Sequence, residues 1–204
     1  MGETVVTNPW DVPPISEKGA RSPEPVYQAV GKAITHWELV EQAIGGLFTF
    51  VTTGKFYDAS SPALRAYGSI VGTSARINMV KAAVDSWSQQ YPACPHLNNC
   101  YALLRECERG SARRNDIAHG RVDRLLDAVP NRSWMLFPGF YHTKKRSIEG
   151  KSKYAYTVEH IERYASAFLN LHNQMNECTS AMSDWHQKNM GGATKRSKAY
   201  LERK

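Results

Sequence analysis

The stretch Arg113-Arg114-Asn115-Asp116-Ile117-Ala118-His119-Gly120 holds the side chains best suited to chemistry. A guanidinium stays charged and grips phosphate oxygens through paired donors. An imidazole titrates at about pH 6.5, so it can take a proton from a ribose 2′-OH or return one to a leaving oxygen. Together they suit cleavage of a phosphodiester in which the substrate's own 2′-OH is the nucleophile, a reaction that needs no metal and no cofactor. On a helix Asn115 and His119 stand at i and i+4 and share a face. Arg114 lies about 140° round the helix from His119, and its long stem can still swing to the same place. Arg113 and Arg114 both fit as partner to His119. The same residues also suit an ordinary helix end, with Arg paired to Asp116 or Asp123 and His119 capping carbonyls. The residues alone leave both readings open.

The elements that must position this stretch are helical. Val30, Ala33, Trp37, Val40, Ile44, Leu47 and Val51 step by three and four, an apolar stripe along a helix that Pro25 opens and Thr52-Thr53-Gly54 ends. Ser61-Pro62 starts a second helix that the spacing of Leu64, Tyr67, Val71, Ser74, Ile77, Val80, Val84 and Trp87 carries to about Gln90, with Gly68 and Gly72 as weak points. Leu97, Tyr101, Leu104, Cys107, Ser111 and Ala118 give a sparser stripe for a third helix, from about His96 to about Val122. Ile161, Tyr164, Phe168, Leu171, Met175, Met182 and Trp185 mark the last, from about Thr157 to His186. Between these two, residues 131–157 change period. Two aromatic, strand-like runs, 133–141 and 154–157, predict a small β-hairpin. The expected fold is therefore all-α: an antiparallel four-helix or slightly larger bundle with a hairpin inserted before the last helix. Residues 1–24 read as an irregular arm whose Trp10 and Ile15 can pack on the body. Residues 25–187 read as the domain, and residues 188–204, which include Gly191-Gly192, as a flexible basic tail.

The 204 residues, 42% apolar and 22% charged, suffice for one domain and exclude collagen, fibrous repeats and wholesale disorder. No apolar run nears the roughly 18 residues a membrane span needs, and the first residues lack a secretion signal, so the expectation is a cytoplasmic protein without membrane contact. Cys94, Cys100, Cys107 and Cys178 form no CxxC pair and read as free thiols. Cys94-x-His96-x3-Cys100 lacks the second ligand cluster of a zinc site, so no metal is expected. The net charge of +7 is concentrated in the 131–153 segment and the tail. Such charge either attracts nucleic acid or merely solvates its segment.

Arg114, Asn115, His119 and Gly120, near the end of the third long helix of a small bundle, resemble the HEPN superfamily, whose hallmark is Arg, a polar residue, then His after four to six residues. The run Trp37-Glu38-Leu39-Val40-Glu41 is similar to the Trp-x-x-x-Glu of that family's opening helix. So is a hairpin before a last helix that begins Tyr156-Thr157-Val158-Glu159. The resemblance covers residues 25–187. It implies a metal-independent endoribonuclease that leaves 2′,3′-cyclic phosphate ends, acting as a homodimer whose two motifs face one cleft. Arg114 would bind the scissile phosphate, His119 would be the acid or base, and Asn115 would orient His119 or bind phosphate. A role as toxin or defence effector, with an antitoxin or regulatory protein as partner, fits the same resemblance. Other HEPN proteins keep the fold without cleavage, so the alternative is a binding or scaffold module for nucleic acid or a partner protein.

Further candidates surround this pair. Arg113, with Lys144, Lys145 and Arg146, can hold RNA phosphates. Trp134, Phe137, Phe140 and Tyr141 can stack bases or cover the end of the bundle. Asp116, and Glu41 or Glu38 facing the bundle centre with His36, are the acids placed to steady the pair from behind, although Glu41 equally suits an exposed helix flank. His160, His172 and His186 sit at steps that make no metal pair and read as surface or boundary residues.

Overall fold

A computed structural model describes residues 8–16, 18–55, 61–124, 133–137, 139 and 153–201, the last twelve of these in backbone only. The order is α1 (Glu24–Thr53), α2 (Pro62–Ser69), α3 (Thr73–Gln90), α4 (Leu97–Ala118), β1 (Arg121–Asp123), β2 (Met135–Phe137) and α5 (Val158–Leu201). The chain is an all-α bundle with a small antiparallel hairpin ahead of its last helix. Among the described residues no helix is long and apolar enough to cross a membrane.

The helical stripes read from the sequence become the core. Ala33, Trp37, Val40, Ile44 and Leu47 of α1 are buried, as are Ile161, Tyr164, Phe168, Leu171, Met175 and Met182 of α5. Burying each large apolar side chain contributes roughly 1.5–3 kcal/mol, well above the few tenths that helix propensity alone supplies per residue.

Three boundaries differ from the expectation. The second helix is two, because Gly72 adopts φ +94°, a left-handed value that only glycine tolerates without strain. The backbone turns there, and Val71, counted into the apolar stripe, is 94% exposed. The third helix stops at Ala118 rather than near Val122, and Arg121–Asp123 form a strand. The last helix runs through Gly191-Gly192 to Leu201. Glycine costs a helix about 1 kcal/mol per residue, and the residues that follow include Ala193, Lys195, Arg196, Lys198, Ala199 and Leu201, mostly good helix formers.

The chain divides into two units. The first comprises Met1–Val40 and Glu108–Leu171. Its aromatic centre is Phe168, with Trp37 edge-on at 5.1 Å and Trp10 stacked at 5.6 Å. The arm is fastened here. Tyr164 donates to the Asp11 carbonyl at 2.6 Å, and Arg163 donates to the same oxygen at 3.3 Å. Ile15 packs against Met135, Phe137 and Ala155. The hairpin pairs Arg121 with Phe137, Val122 with Leu136 and Asp123 with Met135. Two single bridges add to this, Tyr156 to Leu136 of β2 and Ala20 to Trp134 just before β2. The 154–157 run therefore joins β2 at one residue, as expected in part, while the full ladder goes to β1.

The second unit comprises Glu41–Cys107 and His172–Lys204. Phe50, Trp87, Tyr91, Trp185 and His186 form a chain of tilted and edge-on ring contacts within it. All four cysteines belong to this unit and are free and buried.

Candidate functional site

The last turn of α4 is closed by the His119 amide, which donates to the Asn115 carbonyl at 3.1 Å. The two arginines that precede it part ways. Arg113 Nη1 donates to the Tyr156 hydroxyl at 3.1 Å and lies 3.3 Å from Asp116 Oδ2. The Tyr156 hydroxyl in turn donates to Asp116 Oδ2 at 2.8 Å. The Asp116 side chain is fully buried, and that of Arg113 is 14% exposed. Removing a carboxylate from water is costly unless charge and donors meet it, and here a cation and a phenol do. Burial works against the Arg113 charge, yet the oxygens of Tyr156 and Asp116 outweigh it and raise its proton affinity further. Burial first, and then the Asp116 carboxylate, push the Tyr156 and Tyr154 hydroxyls up, which keeps Tyr156 a donor.

Arg113, a candidate for holding substrate, is tied to Asp116 and Tyr156 through Nη1. The buried Asp116 draws this Nη1 inward, and the Arg113 side chain is 14% exposed. Arg114 turns to its own neighbour instead. It is half-buried, its Nη1 donates to Asn115 Oδ1 at 3.2 Å, and its Nε is buried without a hydrogen-bond partner. His119, one residue past the helix, is exposed, and its imidazole has no partner among the described residues. The same end of one helix thus carries a half-buried cation and an exposed imidazole. Asn115, whose carbonyl fixes the His119 amide, also carries the amide oxygen that holds Arg114.

Gly120 follows His119 because nothing larger fits. A Cβ there would stand 2.8 Å from the Asp116 carbonyl oxygen and 2.8 Å from two side-chain carbons of Leu136. The turn into β1 thus lets the hairpin close against the helix end.

The other candidates fall elsewhere. Lys144, Lys145 and Arg146 lie outside the described residues, as do Phe140 and Tyr141. Phe137 is 1% exposed in the core and cannot stack a base. Trp134 is half-buried, with the Arg124 guanidinium over its ring at 5.4 Å. Glu41 belongs to the second unit, where its carboxylate receives Arg76 and, at 2.6 Å, the Thr73 hydroxyl. His36 donates from Nδ1 to the Ala165 carbonyl at 2.8 Å. His160 caps α5, and His186 joins the aromatic contacts of the second unit.

Tyr156 is the member of this cluster that the sequence did not announce. The alternation of Tyr154-Ala155-Tyr156-Thr157 indicates a strand, but it carries no sign that one of its rings reaches Asp116, 40 residues earlier.

Among the described residues no group of three or more His, Cys, Asp or Glu side chains is placed to hold a metal ion. Comparison with protein-family models, with curated proteins and with solved structures finds no match to this chain.

Proposed function

We propose that this protein is a metal-independent endoribonuclease of the HEPN kind, in which Arg114 binds the scissile phosphate and His119 moves the proton. The observation that supports it most is the division of labour between neighbours. Arg113 Nη1 is engaged by buried Asp116 and by Tyr156, whereas half-buried Arg114 bonds only its neighbour Asn115 through Nη1, and His119 is exposed.

The chemistry follows from those two groups. The ribose 2′-oxygen attacks phosphorus as a neutral imidazole takes its proton. The bond to the 5′-oxygen breaks, and that oxygen leaves with a proton from an imidazolium. The products are a 2′,3′-cyclic phosphate and a 5′-hydroxyl. Charge accumulates on the non-bridging oxygens, where the Arg114 guanidinium offers paired, permanently charged donors. One imidazole per chain serves one of the two proton transfers, so a homodimer that brings two His119 side chains to one RNA supplies both.

The deciding experiment is digestion of mixed RNA by wild type and by His119→Ala, with analysis of the ends. Loss of cleavage in a folded variant, and 2′,3′-cyclic ends from wild type, are expected. Undiminished cleavage by His119→Ala refutes the proposal. RNA binding without product ends would instead favour a non-catalytic module.

A further inference from the structure

The residues that flank His119 on both sides, Asp116 and Gly120, meet the two members of one β-bridge. Three residues before His119, the buried Asp116 carboxylate accepts the Tyr156 hydroxyl at 2.8 Å, and Arg113 Nη1 donates to that hydroxyl at 3.1 Å. One residue after it, Gly120 lies directly under the Leu136 side chain. Tyr156 and Leu136 are themselves paired. The Tyr156 amide donates to the Leu136 carbonyl at 2.8 Å, and the Leu136 amide donates to the Tyr156 carbonyl at 2.9 Å. The side chains of this one pair therefore hold residues 116 and 120, and the backbone of the pair sets the distance between the two grips.

We propose that Tyr156 is a positioning residue for the Arg114/His119 site: through Asp116 on one side and Leu136 on the other, it fixes the turn that aims the imidazole. The proposal rests on the ribonuclease reading above for its consequence in catalysis, though the clamp itself does not. The physical ground is preorganisation. An exposed imidazole on a one-residue turn has nothing of its own to hold it, and its backbone must be held by neighbours. Proton transfer tolerates little displacement, and a misplacement of about 1 Å can cost about a hundredfold in rate. The phenol is suited to the task. Its ring is fully buried, edge-on to Tyr164 at 5.5 Å, and its hydroxyl sits between a fixed cation and a fixed anion.

The test compares Tyr156→Phe with Tyr164→Phe in the full chain. Each removes one hydroxyl from a buried ring, but Tyr164 donates to the Asp11 carbonyl and not to Asp116. In steady-state cleavage of RNA, kcat falls about ten- to hundredfold for Tyr156→Phe, with KM within about twofold of wild type, because ground-state binding is kept and only alignment is lost. Tyr164→Phe stays near wild type. Equal kcat values for the two variants overturn the proposal. Amide hydrogen exchange at His119 gives a reading independent of cleavage. Exchange at least about tenfold faster in Tyr156→Phe than in Tyr164→Phe is expected, and equal exchange overturns the clamp. If wild type and His119→Ala cleave alike, the ribonuclease reading falls by itself, and the exchange data still decide the clamp.

Discussion

Thr157 and His160 cap α5 by holding each other. The His160 amide donates to Thr157 Oγ1, and the Thr157 amide donates to His160 Nδ1, both at 3.3 Å. This is the reciprocal geometry of a capping box, with an imidazole in place of the usual Glu or Gln. Nδ1 can accept only while it carries no proton. Burial, reinforced by the Arg163 charge and opposed by Glu159, holds the His160 pKa below the ordinary histidine value.

A pH dependence of stability follows from that cap. The folded state binds the His160 proton less readily than the unfolded chain, whose histidine titrates at about pH 6.5. The cap's contribution is complete above that pH and is lost as pH falls through the lower, folded value. Melting temperature measured from pH 7.5 to 5 should drop more steeply in wild type than in His160→Gln, which keeps an acceptor without a titrating ring. Parallel curves would show that His160 contributes nothing to the pH response.

Arg113 and Arg114 should fail in different ways. Arg113→Ala strands a buried carboxylate, a change that typically costs about 3–5 kcal/mol, and it should appear as a large fall in the denaturant midpoint. Arg114→Ala breaks one bond to its neighbour Asn115 and should change stability by about 1 kcal/mol or less, while RNA cleavage per folded molecule drops at least about a hundredfold. Denaturation and single-turnover cleavage on the same preparations separate the two. A reversal of the pattern would move the working role to Arg113.

Gly120→Ala places a methyl group where Leu136 and the Asp116 carbonyl oxygen already stand, each 2.8 Å away. Overpacking of this kind costs about 1–3 kcal/mol. Urea unfolding should show a lower midpoint with an unchanged slope. An unchanged midpoint would mean that the hairpin shifts aside without cost.

Cleavage should survive chelation. With the nucleophile inside the substrate and charge neutralised by Arg114, activity in excess EDTA is expected within about twofold of the untreated rate. Added salt should weaken it steeply, since phosphate contacts release counterions. Abolition by EDTA and restoration by a divalent ion would replace this mechanism with another.

The helices were legible because their periodicity is local. Trp37, Val40, Ile44 and Leu47 share a face whatever they pack against, and Ile161, Phe168 and Met175 likewise. Where the reading missed, long-range or backbone effects decided. Gly72 looked like a weak point in one helix, and its positive φ divides it into two. Val122 continued a helical count, but Leu136 on Gly120 turns the chain into a strand. The Arg114–His119 spacing could be read directly, since it lies within eight residues. The pairing of Arg113 with Asp116 and Tyr156 could not, because Tyr156 lies 40 residues from Asp116 and leaves no periodic trace.

The confinement of every sulfhydryl to the second unit makes that half of the molecule self-reporting. Cys94, Cys100, Cys107 and Cys178 are all shielded from solvent, so a pulse of iodoacetamide labels the chain only when this half opens. Loosening confined to the half that bears His119 would leave the labelling silent, and the two events can be timed apart without introducing a single foreign probe.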